Sequence, residues 1–173
     1  MTNLAYLADR LAIEDVVLRY AWASDTLDAD LYLSVFAADA RITLPNGTIL
    51  AAGHDQIGAT ARTNQIRFLA PAGGLSVMRH LVANLAVDIT GDAAVARYCV
   101  TTLGFDTQAA KPEIVSLARY VDRLARHGAG WLIAERTMHY DWGNDAMARQ
   151  LAIGPHTPPQ YRPAPRPSPE QGQ

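Results

Sequence analysis

Cysteine is almost absent: Cys99 is the only one in 173 residues. That excludes a disulfide framework and any cysteine-rich zinc site. No charge of one sign dominates, since 15 Lys+Arg face 17 Asp+Glu for a net charge of -2. Nucleic-acid binders carry a basic face that neutralises phosphates, so no nucleic acid is expected as a partner. No apolar run approaches the ~18 residues that cross a bilayer, and Met1-Thr2-Asn3 does not open a charged and apolar leader. No membrane association is expected, and the chain reads as cytoplasmic. His54, His80, His127, His139 and His156 form no HxH or HxxxH pair, so no metal is expected. GxGxxG, P-loop, GxSxG and HExxH patterns are missing as well, which leaves no cofactor to expect. Lysine occurs once against 14 arginines, a bias that reads as compositional rather than mechanistic.

What is present suits one domain: the chain is 49% hydrophobic, enough to bury a core. Seven of the ten prolines fall between Pro155 and Pro169. Such a stretch favours extended polyproline conformations and builds neither helix nor central strand. The domain is therefore placed at 1–143 and a Pro-rich tail at 144–173. The tail reads as a disordered terminus or as a strap over a pocket mouth or neighbouring subunit, with Tyr161 as its anchor.

Residues 4 to about 24 predict a long helix capped by Thr2 or Asn3. Leu4, Leu7, Leu11, Leu18, Trp22 and Asp25 recur with helical spacing, and this stripe is expected to be its buried face. A short helix follows from Asp28, its N-cap, to Phe36. Two short strands, 41–44 and 48–50, flank Pro45-Asn46-Gly47, a hairpin signal. A third helix is predicted over 54–68, and 70–74 reads as a loop. Then come four strand-like runs, 77–90, 92–106, 113–126 and 131–142, joined by short connections as an antiparallel meander. Helices first and a sheet afterwards define an α+β class.

Polar residues on apolar faces stand out. Asp25 ends the helix stripe at the wrong end of the helix dipole and needs a partner if buried. His80 and Asn84 share the even face of the first long strand with Met78 and Val82. Both faces of that strand are largely apolar and are expected to be covered. Arg136 shares a face with Leu132, Ala134, Met138 and Tyr140. Tyr98 and Val100, and Ser116 and Tyr120, line the strands between. Together these would surround a mostly apolar small-molecule cavity with a few polar groups. Each has a plainer alternative: a turn cap for Asp25, a satisfied core histidine for His80, an ion pair to Glu135 or Asp141 for Arg136, and core packing for Tyr20 and Trp22.

Several ordered motifs carry a resemblance. Residues 7–15 (LADRLAIED), Tyr20, Asp25, 33–40 (LSVFAADA), 79–84 (RHLVAN), 88–96 (DITGDAAVA), 119–122 (RYVD), and 130–136 (GWLIAER) with Asp141-Trp142 resemble the SnoaL-like family of the NTF2-like superfamily. The resemblance implies a cone, with a curved antiparallel sheet wrapped around the N-terminal helices. Within the superfamily the pattern is similar to the hexachlorocyclohexane dehydrochlorinase and, more loosely, scytalone dehydratase branches, which perform cofactor-free β-elimination with an Asp–His dyad. Asp25 and His80 match those places, and Arg136 matches a pocket arginine. Tyr20 stands where the dehydrochlorinase branch has lysine, which fits a hydroxyl leaving group or an enolate better than a halide.

The expectation is thus a cofactor-independent lyase or isomerase, dehydratase- or dehydrochlorinase-like, acting on a small, apolar, perhaps cyclic substrate. His80 would be the base, Asp25 its orienting partner, and Tyr20 and Arg136 the groups facing developing negative charge. Trp22, Met78, Val82, Asn84, Tyr98, Val100, Ser116, Tyr120, Met138 and Tyr140 would line the substrate site. The alternatives are a polyketide-type cyclase, and a non-catalytic ligand-binding or scaffold subunit like the small subunit of ring-hydroxylating dioxygenases. A homo-oligomer, dimer or trimer, is expected through an outer sheet face bearing Arg97, Arg119, Arg123, Glu135 and His139 beside Val95, Leu117 and Ile133.

Overall fold

The computed structural model describes residues 4–69, 75–106 and 110–143. The predicted loop at 70–74, residues 107–109 between the second and third long strands, and the Pro-rich tail lie outside the described residues. Helix α1 runs over Leu4–Thr26. Leu27 then turns the chain with φ 57°, and the Asp28 N–H closes on the Ala23 carbonyl at 2.9 Å. Asp28 caps α2 (Ala29–Ser34), accepting from the Leu31 N–H at 2.9 Å. Strands β1 (Phe36–Thr43) and β2 (Ile49–Ala52) form the predicted hairpin, with Gly47 at φ 85° in its turn. Phe36 begins β1 rather than ending a helix. Helix α3 (Gly53–Leu69) leads to β3 (Leu75–Thr90), β4 (Ala93–Asp106), β5 (Lys111–His127) and β6 (Gly130–Gly143). No helix among the described residues is long and apolar enough to cross a membrane.

The six strands form one sheet in the order β2-β1-β6-β5-β4-β3. The last four make the expected antiparallel meander. The sheet is not antiparallel throughout, because β1 lies parallel to β6, pairing Phe36 with Ile133 and Thr43 with Thr137. Parallel neighbours need a long crossover, and β2, α3 and the meander supply it. Register shifts between Ala83 and Ala86, Thr102 and Leu103, Leu117 and Ala118, and Arg123 and Leu124 bend the sheet into its curve.

The face that α1 buries differs from the expected one. Ile13, Val16, Val17, Tyr20, Ala21 and Ala23 are buried, whereas Leu4, Leu11 and Trp22 are 81%, 65% and 66% exposed, with Leu7 and Leu18 also exposed. The helix is apolar on two opposite faces. The sheet takes the one built of Val and Ala, whose short side chains permit close approach. Near its start, α1 is fastened to the far end of the meander. Arg126 grips Asp9 at 2.8 and 2.7 Å and Asp92 at 2.8 Å. Trp131 donates to Asp9 at 3.0 Å, and its ring carries the guanidinium at 4.5 Å. Sixteen residues later, about 24 Å along the axis, the helix delivers Asp25 to β3.

Strand pairing orders the concave face into rows. His80, Thr102 and Ser116 form one, and Val82, Val100, Ala118 and Tyr140 the next. Tyr98, Tyr120 and Met138 follow, then Ala96, Asp122 and Arg136, then Ala94, Leu124 and Ile133. Ile133 was expected on the outer face. It is fully buried because the β5–β6 register shift turns it inward.

Candidate active site

Asp25 and His80 meet where the end of α1 crosses β3. One carboxylate oxygen, Asp25 Oδ1, accepts from the His80 backbone N–H at 2.9 Å and lies 2.7 Å from His80 Nδ1. The first bond pins the carboxylate to the strand, and the second sets the ring. A carboxylate acceptor places the proton on Nδ1 and leaves Nε2 with its lone pair. The His80 side chain is 9% exposed and that of Asp25 13%, so the pair is little screened by solvent.

Tyr20, one and a half turns before Asp25, meets the His80 ring edge-on at 6.1 Å between centroids. Its face covers Arg136, whose guanidinium carbon sits 3.7 Å from the ring centroid. Arg136 is fully buried and held side-on by Asp122, Nε to Oδ1 and Nη2 to Oδ2, each at 2.7 Å. Nη2 also donates to Tyr98 Oη at 2.7 Å, and Tyr98 donates to Asp122 at 2.8 Å. Burial works against the Arg136 charge, but the Asp122 carboxylate holds its pKa well above the ordinary value. Arg136 Nη1 is buried without a partner. The expected surface partners of Arg136 are replaced by a buried one. Glu135 lies 4.0 Å from Arg123, and Asp141 is bonded by Arg119.

The structure therefore gathers Asp25, His80, Tyr20 and Arg136, with Arg136 behind Tyr20 rather than at an open surface. Tyr98, Val100, Ser116 and Tyr120 are buried on the concave face, and Met78, Val82, Met138 and Tyr140 are half-buried beside them. Trp22 and Asn84 do not join them. Trp22 points away from the sheet. Asn84 sits in the β3 bulge at φ 55°, exposed, with Nδ2 3.8 Å from Cys99 Sγ. The bulge breaks the alternation that put it in phase with His80, and the outer side of β3 is open at Leu81, which is 53% exposed. Sequence reasoning passed over Asp122, although it continues the face of Ser116, Ala118 and Tyr120 and was as visible as Arg136. Tyr32 on α2, 5.4 Å from both Tyr20 and Phe36 between centroids, carried no comparable signal.

A curved, unclosed sheet packed on N-terminal helices is the NTF2-like fold. An NTF2-like protein with a cystatin-like fold from Novosphingobium aromaticivorans superposes with a TM-score of 0.68 at 21% identity, over 86% of this chain and 91% of that one. The chain belongs to the SnoaL-like domain family, whose model matches residues 5–137. A protein of N. aromaticivorans provisionally described as a scytalone dehydratase aligns with a TM-score of 0.67 at 18% identity, over 81% of this chain and 89% of that one. The hexachlorocyclohexane dehydrochlorinase LinA-type3 of Novosphingobium barchaimii aligns at 0.65 and 17%, over 91% and 99%. At these identities the likeness establishes the fold alone. No curated protein matches the sequence.

Proposed function

We propose that this protein is a cofactor-independent lyase or isomerase that abstracts a carbon-bound proton with His80. The reading rests on one observation: Asp25 Oδ1 takes both the backbone N–H and Nδ1 of His80, leaving Nε2 as a fixed base. Asp25 orients the imidazole and balances the imidazolium that forms. Tyr20 and the Arg136 charge behind it favour the negative charge left on the substrate. The half-buried apolar side chains of Met78, Val82 and Met138 suit a small, mostly uncharged substrate. A dehydratase-like and a dehydrochlorinase-like fold neighbour support the same class of chemistry.

The test is deuterium incorporation from D2O into a panel of small cyclic ketones, followed by NMR. The wild-type chain should accelerate exchange at carbon next to the carbonyl. His80→Asn should lower the rate about 10²–10⁴-fold, the usual worth of a positioned base. Exchange that survives His80→Asn unchanged overturns the assignment.

We also propose that copies associate through the convex face of the sheet. Paired register aligns Leu81, Thr101, Leu117 and Trp142 in one outward row, with Leu81, Leu117 and Trp142 exposed. Arg97, Arg119, Arg123, Glu135 and His139 lie on the same side, as an apolar centre with a charged rim requires.

A further inference from the structure

Helix α1 keeps five large apolar side chains out of the core. Leu4, Leu7, Leu11, Leu18 and Trp22 are all exposed. Their spacing puts them on one side of the helix, away from the Ile13, Val16, Val17 and Tyr20 side that packs on the sheet. From Leu4 to Trp22 the stripe runs for about 27 Å at the helical rise. Exposed apolar side chains in an unbroken run mark a surface that something covers. Glu14 and Asp15 interrupt the stripe, and the surface is hollowed between them, Leu11 and Leu18. Arg19 takes Asp15 at 2.6 Å. Among the described residues, no ion pair reaches Glu14.

The sequence beyond β6 carries a segment that matches this stripe. A polyproline helix has three residues per turn. On that period Pro155, Pro158, Tyr161, Ala164 and Pro167 share one side, and Arg162 and Arg166 fall on the other two. Both charges between 155 and 169 are positive, with no acidic residue among them. The spacings agree as well. Arg162 follows Pro158 by four residues, about 12 Å in a polyproline helix. Glu14 precedes Trp22 by eight residues, about 12 Å along α1. With Pro158 on Trp22 and the segment running toward the start of α1, Tyr161 falls over the hollow and Arg162 beside Glu14. A second copy of α1 suits the stripe less well, because it brings another Glu14 and Asp15 to the middle of the contact.

The connection is long enough. Strand β6 ends at Gly143, which pairs with Ser116 in the row of Thr102 and His80. His80 is also where the end of α1 meets the sheet, through Asp25. Three strand spacings, about 14 Å, separate Gly143 from β3. The eleven residues 144–154 reach up to about 36 Å when extended.

We propose that the exposed stripe of α1 is the docking surface for residues 155–167 of the same chain, which lie along it as a polyproline strap running toward the start of the helix. The apolar side of the strap covers the leucines and Trp22, and Arg162 pairs with Glu14. Proline packs well on an aromatic ring, and a polyproline segment has little freedom left to lose on docking. The covalent connection raises the local concentration of the strap at the helix, so a weak contact suffices to hold it. The strap lies on the side of α1 away from the concave face.

The test is photo-crosslinking in the full chain with p-benzoylphenylalanine in place of Tyr161, the adducts being mapped by mass spectrometry. Adducts should fall on α1 between Leu11 and Trp22 of the same chain, in a product that migrates as a monomer under denaturing conditions. Leu18→Asp removes apolar contact from the hollow and should lower their yield about tenfold, with the circular dichroism of the wild type retained. Arg162→Glu, a change in the tail that leaves α1 intact, should lower it about two- to fivefold. Glu14→Arg should do the same, and the two together should restore the yield. Adducts on Met78, Val82 or Met138 would place the tail over the concave face and overturn the proposal. So would adducts that join two chains, adducts scattered over the surface, or a yield on α1 that neither Leu18→Asp nor Arg162→Glu alters.

Discussion

Arg136 lies flat against the ring of Tyr20, its guanidinium carbon 3.7 Å from the ring centroid, and both side chains are shut away from solvent. A buried cation is costly unless paired and hydrogen-bonded. Here Asp122 supplies the countercharge, Tyr98 an oxygen, and Tyr20, Phe36 and Tyr120 aromatic faces within 5.2 Å. The planar guanidinium suits this place because one edge takes the carboxylate side-on while its face stacks. The charge behind the dyad is thus permanent at any pH at which the chain folds.

This pairing predicts an asymmetric response to mutation. Arg136→Met alone leaves Asp122 buried and uncompensated, and Asp122→Leu alone does the same to Arg136. Each should cost about 3–5 kcal/mol in urea unfolding. The double variant should recover most of that loss, because an apolar pair of similar volume avoids burying any charge. Additive losses in the double variant would show that the ion pair is not what the two residues share.

Asp25→Asn separates charge from shape at the dyad. The amide oxygen can still accept from both nitrogens of His80, so the ring should keep its orientation. On the proposed role of His80, the imidazolium formed on proton abstraction would lose its countercharge. Exchange into a cyclic ketone should fall about 10²–10⁴-fold, while stability in urea changes little. A parallel loss of stability would mean that Asp25 holds the site together rather than serving the base.

Much of this was legible in the sequence, and the exceptions have physical reasons. Asp25 and His80 stood out because ionisable groups on apolar faces need partners, and the fold brings them together. The buried face of α1 could not be chosen locally. Its leucine stripe and its Ile/Val/Ala stripe are both apolar, and packing against the sheet selects the one with shorter side chains. Strand alternation failed where register shifts occur, which turned Ile133 inward and left Asn84 outside. The parallel pairing of β1 with β6 joins segments some ninety residues apart, as Thr43 with Thr137 illustrates. Turn chemistry cannot encode such a contact.

The tyrosine cluster predicts the alkaline limit of stability. Burial raises the pKa of Tyr32, Tyr98, Tyr120 and Tyr140 in the folded chain, Tyr140 to about 12, from an ordinary value of 10.0. A folded pKa above the unfolded one gives stability that is complete below pH 10 and is lost as pH rises through the folded value. Unfolding should therefore become favourable between about pH 10 and 12. Tyrosinate absorbance from the buried residues should appear together with the loss of circular dichroism. Tyr140→Phe should make the dependence on pH shallower. Tyrosinate formation in all four without loss of structure would contradict the burial argument.

Two apolar surfaces compete as the site of self-association. The α1 seam of Leu4, Leu7, Leu11, Leu18 and Trp22 is narrow, with acidic Glu14 and Asp15 between its leucines. The convex row of Leu81, Leu117 and Trp142 is flanked by Ile114 and Phe105, 46% and 38% exposed, on a surface with charges of both signs around it. A sheet face presents a broad surface, and a stable interface needs about 800 Å² from each partner. The convex face should therefore carry the assembly. Leu117→Arg places a charge in the middle of that row without touching the concave site. It should convert the oligomer to monomers in light scattering after gel filtration, with unfolding in urea altered by less than about 0.5 kcal/mol. Leu11→Arg on α1 should leave the oligomer intact. The opposite result would assign assembly to the helix, and a monomeric wild-type chain would remove both.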